Sequence, residues 1–212
     1  MNHHLAIFDK FKTKDELTGK AKRQRQIIQI LYFENITHNT KVEITKKIIS
    51  KKNKLWRNTY SGVYEDIERV FLPYNIVREK GRIPLKRGPR LLQESGTAFY
   101  ELTKNGMLLL YCINRGKVKL DFTKFASDHK LGELFNRMSD INSTLCFLIL
   151  EKYIVTCYIK KMNILPLIRQ NLNEVYKANL ELTLELIESI LSTNTNERRV
   201  MLEFLSQIKA KH

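Results

Sequence analysis

Between Asp15 and Glu34 the chain ends a polar stretch in a run where Ile27, Ile28, Ile30, Leu31 and Phe33 take the apolar positions of an amphipathic helix. Lys20, Lys22, Arg23 and Arg25 crowd its first turns. "NITHNT" breaks the pattern, and Thr40 is placed to cap a second helix over "KVEITKKIISKK", with Val42, Ile44, Ile48 and Ile49 inward. A third helix is predicted over "WRNTYSGVYEDIERVFLPYN", where Val63, Ile67, Val70 and Phe71 recur at helical spacing and Pro73 ends the run. The period then shortens to two. "IVREKGR" reads as a strand followed by a basic loop, and "FYELT" reads as its return partner. In "LTKNGMLLLYCI" the apolar spacing is helical again.

Helix, helix, helix, strand, loop, strand, helix is the order of a winged helix-turn-helix domain, in which the second strand returns from the wing and hands the chain back to the domain. "YELTKNG" at Tyr100 to Gly106 resembles the YxLTxxG stretch common in winged helix regulators of the MarR, PadR and related archaeal and bacterial groups. The resemblance covers residues 20–115. It implies that Leu102 packs under the sheet, that Thr103 caps the next helix, and that Gly106 leaves room at that helix's first turns. Two features depart from it. The loop between the strands is longer than a usual wing, and Gly62 sits inside the expected recognition helix, where it costs about 1 kcal/mol relative to Ala.

Beyond Lys117 the pattern is helical, with candidates at Phe122–Met138, Asn142–Met162, Pro166–Ser192 and Asn196–Lys211. The third carries a 3-4 pattern: Leu165, Ile168, Leu172, Val175, Asn179, Leu182 and Leu186. Such a seam can pair two copies of the chain with Asn179 fixing the register, and it equally suits a helix of an intramolecular bundle. The expected fold is mainly α. It consists of an N-terminal extension (1–19), a winged helix domain of three helices plus a two-stranded wing (20–116), and a helical region (117–212) expected to form a homodimer.

Charge sharpens this picture. With 212 residues, 43% hydrophobic and 28% charged, the chain has the composition of a globular protein. Its 37 Lys and Arg against 22 Asp and Glu leave +15, which favours a polyanionic partner such as nucleic acid or an anionic membrane surface. The surplus is uneven. Residues 1–106 hold 22 basic and 11 acidic side chains, whereas residues 107–212 hold 15 and 11.

Two segments carry candidate contacts with double-stranded DNA. The loop "REKGRIPLKRGPR" offers Arg78, Lys80, Arg82, Lys86, Arg87 and Arg90 on a stretch that Gly81, Pro84, Gly88 and Pro89 keep from forming a helix. An arm of this kind can lie on phosphates or place Arg in a minor groove. The expected turn and recognition helix add Lys51, Lys52, Lys54, Arg57, Asn58, Thr59, Tyr60 and Ser61, whose types suit phosphates and base edges. Trp56 reads as a core or turn anchor before it reads as a base-stacking residue.

Other chemistries find little support. His3, His4, His38, His129 and His212 are scattered, and neither a phosphate-binding loop nor a nucleophile elbow occurs, so an enzyme is not expected. Glu65, Asp66 and Glu68 fall on the outer face of the third helix and read as solvated surface before they read as a nuclease metal cluster. Cys112, Cys146 and Cys157 lie in apolar surroundings and read as reduced core thiols. Leu145 to Ile159, interrupted by Glu151 and Lys152, reads as a buried helix rather than a membrane span. The expectation is a cytoplasmic, nucleoid-associated transcriptional regulator with no cofactor and no metal. The alternatives are a winged helix assembly module holding an acidic protein, or a DNA-binding protein of replication or plasmid maintenance.

Overall fold

The structure, a computed structural model, describes residues 4–34, 38–50, 55–84, 96–178 and 180–209. It is mainly helical with one small two-stranded antiparallel sheet. The chain divides into two compact units, Met1–Leu110 and Tyr111–His212, the division falling inside one helix.

In the first unit, α1 (Gly19–Phe33), α2 (Lys41–Ser50) and α3 (Trp56–Asp66) pack on one another. Each begins where its sequence allows. The Thr18 hydroxyl accepts from the Ala21 N–H at 3.1 Å, and the Thr40 hydroxyl accepts from the Glu43 N–H at 3.2 Å, each satisfying one of the orphan donors of a helix start. Ile27, Ile28, Ile44, Ile48, Val63, Ile67 and Phe71 are fully buried between the helices. After α3 the helix widens into a π-helical turn at Ile67–Phe71, and Asn75 turns the chain with φ 50°.

The sheet pairs β1 (Val77–Ile83) with β2 (Thr97–Leu102), Val77 opposite Leu102 and Ile83 opposite Thr97, with a bulge between Glu79 and Gly81. Asn39 and Thr40, just before α2, add a short third pairing: the Tyr100 N–H donates to the Asn39 carbonyl at 3.1 Å, and Thr40 bridges Phe99. β2 runs into α4 (Lys104–Ile113) through Thr103, whose hydroxyl oxygen accepts from the Gly106 N–H at 3.3 Å. Gly106 is required by close approach, because a Cβ there would stand 2.3 Å from the Ile76 carbonyl oxygen.

Asp66 overturns the solvated-surface expectation. It is fully buried, on the inner face of α3. Arg23 Nε donates to one carboxylate oxygen at 2.6 Å and Gln24 Nε2 to the other at 2.9 Å. Gln24 is itself fully engaged, since its amide also donates to the His4 carbonyl (3.2 Å) and its carbonyl accepts from the Ala6 N–H (2.8 Å). Leu5, Ala6 and Ile7 are therefore buried against α1, and the segment read as an extension is part of the first core. The same network explains Gly62. A Cβ at that position would lie 2.6 Å from the Arg23 guanidinium carbon, so the glycine lets Arg23 cross α3 to reach Asp66.

In the second unit a 3₁₀ turn (Phe122–Lys124) precedes α5 (His129–Ile141), α6 (Ser143–Ile159), α7 (Arg169–Ala178), α8 (Leu180–Ser192) and α9 (Thr195–Lys209). The helix expected from Phe122 begins later, because Asp128 caps at the Leu131 N–H. The helix expected over Pro166–Ser192 is described from Arg169 to Ala178 and from Leu180 to Ser192, and Asn179 lies outside the described residues. Phe122, Phe135 and Phe204 are fully buried in the core, the Phe135 ring lying with its centroid 5.5 Å from that of Phe122 and 5.0 Å from that of Phe204. The 3-4 seam is consumed here. Leu172, Val175, Leu182 and Leu186 are buried within their own unit, so the pattern serves an intramolecular bundle. The three cysteines are buried free thiols, and burial pushes Cys146 up to about 12.

The Asp66 network gives a stability test by urea unfolding. Asp66→Asn leaves Arg23 without its counter-charge and is expected to lower stability by about 3 kcal/mol, the lower end for a broken buried pair. Gly62→Ala is expected to destabilise as well, although Ala is favoured in a helix by about 1 kcal/mol. A more stable Gly62→Ala chain would contradict the packing of Arg23 on α3.

Candidate nucleic-acid interface

The leading end of α3 projects from the first unit. Leu55 occupies the cap position with extended backbone and no side-chain cap, and it is 76% exposed. Trp56 follows at 46% exposed, so of the core or turn anchor the sequence suggested the core alternative is excluded. Its ring lies nearly parallel to Tyr60, one helical turn on, with centroids 6.1 Å apart and an interplanar angle of 13°. Arg57, Asn58 and Ser61 are exposed beside this pair. Thr59 is turned away. It is 6% exposed, and its hydroxyl donates to the Leu55 carbonyl at 3.0 Å, so it does not belong to this surface. Lys51, Lys52 and Lys54 lie outside the described residues.

The hairpin presents Arg78, Lys80 and Arg82, all exposed and all facing carboxylates. Arg78 Nε donates to Glu101 Oε1 at 2.7 Å, and Lys80 Nζ stands 3.2 Å from the other oxygen of the same carboxylate. Arg82 engages Glu79 through both Nε (2.6 Å) and Nη2 (3.1 Å). The hydrogen bonds from Arg78 and Arg82 hold the Glu101 and Glu79 carboxyls below their usual range. Exposed pairs of this kind are screened by water and salt and contribute little, so a denser anion can displace the carboxylate. Lys86, Arg87 and Arg90 lie outside the described residues.

Between α3 and the hairpin sits a junction that the spacing of residues did not reveal. Lys41, at the start of α2, places its ammonium 2.5 Å from Glu68 and over the rings of Tyr64 (4.6 Å) and Tyr100 (5.7 Å). The Tyr100 hydroxyl donates to Glu68 at 3.1 Å. Burial works to lower the Lys41 pKa, but the bonds to Glu68 and Tyr100 outweigh it and hold the pKa above its ordinary value. Lys41 is thus a charged strut joining α2, the π-turn and β2. Its partners are distant in sequence, which is why pattern alone could not assign it.

Among the described residues no group of three or more His, Cys, Asp or Glu could hold a metal ion, and no helix is long and apolar enough to cross a membrane. The second unit has an open cleft of about 510 Å3, but its Arg137 and Arg199 share it with Glu197 and Glu203. The positive surplus is therefore best sought on the first unit. Compared with models of known protein families, with curated proteins and with solved structures, the chain matches none.

The hairpin carboxylates set a measurable brake on polyanion binding. Glu101→Gln removes the counter-charge from Arg78 and Lys80 at once, and the variant is expected to elute from a heparin column at higher salt than the parent. Unchanged elution would mean that these two cations take no part in the positive surface.

Proposed function

We propose that the first unit is a winged helix that binds double-stranded DNA, with the leading end of α3 entering the major groove and the β1–β2 hairpin lying along the backbone. The observation that carries this reading is the exposed leading end of α3, where Arg57, Asn58 and Ser61 stand beside Trp56 and Tyr60, in a unit with 22 basic and 11 acidic side chains. The order of elements supports it, including the short pairing of Asn39–Thr40 with β2 between α1 and α2. So does the YELTKNG turn, with Thr103 capping α4 and Gly106 fitted under Ile76. Transcriptional regulation, from a place on the bacterial or archaeal chromosome, is the use this reading favours.

Homodimerisation through residues 117–212 belongs to the same proposal, on a different surface from the buried seam. Leu184, Ile187 and Leu191 recur on the outer face of α8 and are 53%, 47% and 70% exposed. An exposed apolar stripe on a helix is a common signature of a protein contact. Light scattering of the full chain is expected to give a dimer at micromolar concentration, and Ile187→Glu to shift it to monomer. A monomeric parent would remove this part of the proposal and leave the DNA reading intact.

The DNA reading is tested by affinity across a salt series. A protein neutralising six or more phosphates is expected to lose roughly a thousandfold in affinity between about 50 and about 200 mM salt, through counterion release. Arg82→Ala is expected to weaken all duplexes alike and flatten the salt slope by about one unit. Arg57→Ala and Asn58→Ala are expected to cost about 1–3 kcal/mol chiefly on a preferred sequence. Binding that ignores salt would favour an acidic protein partner instead.

A further inference from the structure

The geometry points to Leu55 and Trp56 as readers of thymine methyl groups in the major groove, an inference that rests on the duplex-binding reading above. Leu55 stands where a helix start favours Ser, Thr, Asp or Asn, and it makes no side-chain cap. It is also 76% exposed, so neither the helix nor the core accounts for a leucine there. Trp56 is exposed yet held, because Tyr60 stacks on it from the next turn at 6.1 Å. An ordered apolar face is ready for contact with little further loss of side-chain freedom.

The chemistry around this pair selects its occupant. Arg57, Asn58 and Ser61 flank it with hydrogen-bonding groups, and the unit carries a surplus of positive charge, 22 against 11, complementary to a duplex. Base edges in the major groove present donors and acceptors with one apolar exception, the C5-methyl of thymine. The minor groove presents no methyl. Leu55 and Trp56 therefore add a preference for thymine at one or two positions of the site, next to bases that Arg57 and Asn58 address through hydrogen bonds.

Exchange of thymine for uracil removes the methyl and leaves the base pair otherwise unchanged, and this makes a direct test. A duplex is selected from a random pool by the full chain, and each thymine in turn is replaced by uracil. At one or two positions the affinity is expected to fall roughly three- to tenfold, the scale of one buried methyl or slightly more. In Leu55→Ala or Trp56→Ala the penalty at those positions is expected to vanish. Leu55→Ala keeps the test informative should loss of the Trp56 stack disturb α3, since Leu55 is mostly in solvent.

Uracil tolerated within about twofold at every position would overturn the inference and leave duplex binding standing. Penalties of equal size in the parent and both variants would do the same. Tighter binding of the separated strands than of the duplex would also overturn it, because Trp56 would then be stacking on unpaired bases. Failure to select any duplex would remove the DNA reading and this inference together.

Discussion

A carboxylate with no exposure to water must be matched on both oxygens, and Asp66 sets that requirement at the centre of the first unit. Arg23 and Gln24, neighbours on α1, supply the match, which fixes how α1 lies against α3. Gln24 then spends its remaining capacity on His4 and Ala6, so the segment before α1 is pinned by the same bond network. Gly62 follows from it too, as the space through which Arg23 crosses. One buried charge therefore accounts for a helix crossing, a docked N-terminal segment and a glycine that helix propensity alone would reject.

The cations of the first unit divide by role once their partners are known. Arg23 serves Asp66, Arg25 donates to the Ile7 carbonyl, and Lys41 braces Glu68 between two tyrosine rings. These hold the fold. Arg57 stands at the exposed end of α3, while Arg78, Lys80 and Arg82 are exposed but balanced by Glu79 and Glu101. Net charge counts all of them equally. The structure separates a positive surface that is held in check by nearby acids from positive charge spent inside.

The second unit shows how one apolar period serves two purposes. Leu172, Val175, Leu182 and Leu186 satisfy the spacing of a pairing seam, and they are buried among their own helices, where the same spacing is what any bundle helix needs. Leu184, Ile187 and Leu191, which the seam excludes, are among the apolar residues left outside, with Ile159 and Leu202.

Much of the architecture was legible from the chain alone. The helical period of Ile27 to Leu31, Val63 to Phe71 and the C-terminal segments, the shift to period two around Val77 and Phe99, and the cap at Thr40 are local properties, set by the repeat of the backbone and the hydrogen bonds its ends require, while the cap at Thr103 was implied by the resemblance of YELTKNG. Exposure of Arg57 and Asn58 at the start of α3 followed from the same pattern. The sequence could not place Asp66, because its burial depends on partners more than forty positions away in the chain. It could not turn Thr59 inward, expose Trp56, or pair Arg78 with Glu101, because each depends on how the elements pack and pair rather than on the period of any one of them. Periodicity says which face of a helix is apolar. Only the packing of one helix on another decides which polar groups find partners inside and which apolar ones are left without cover.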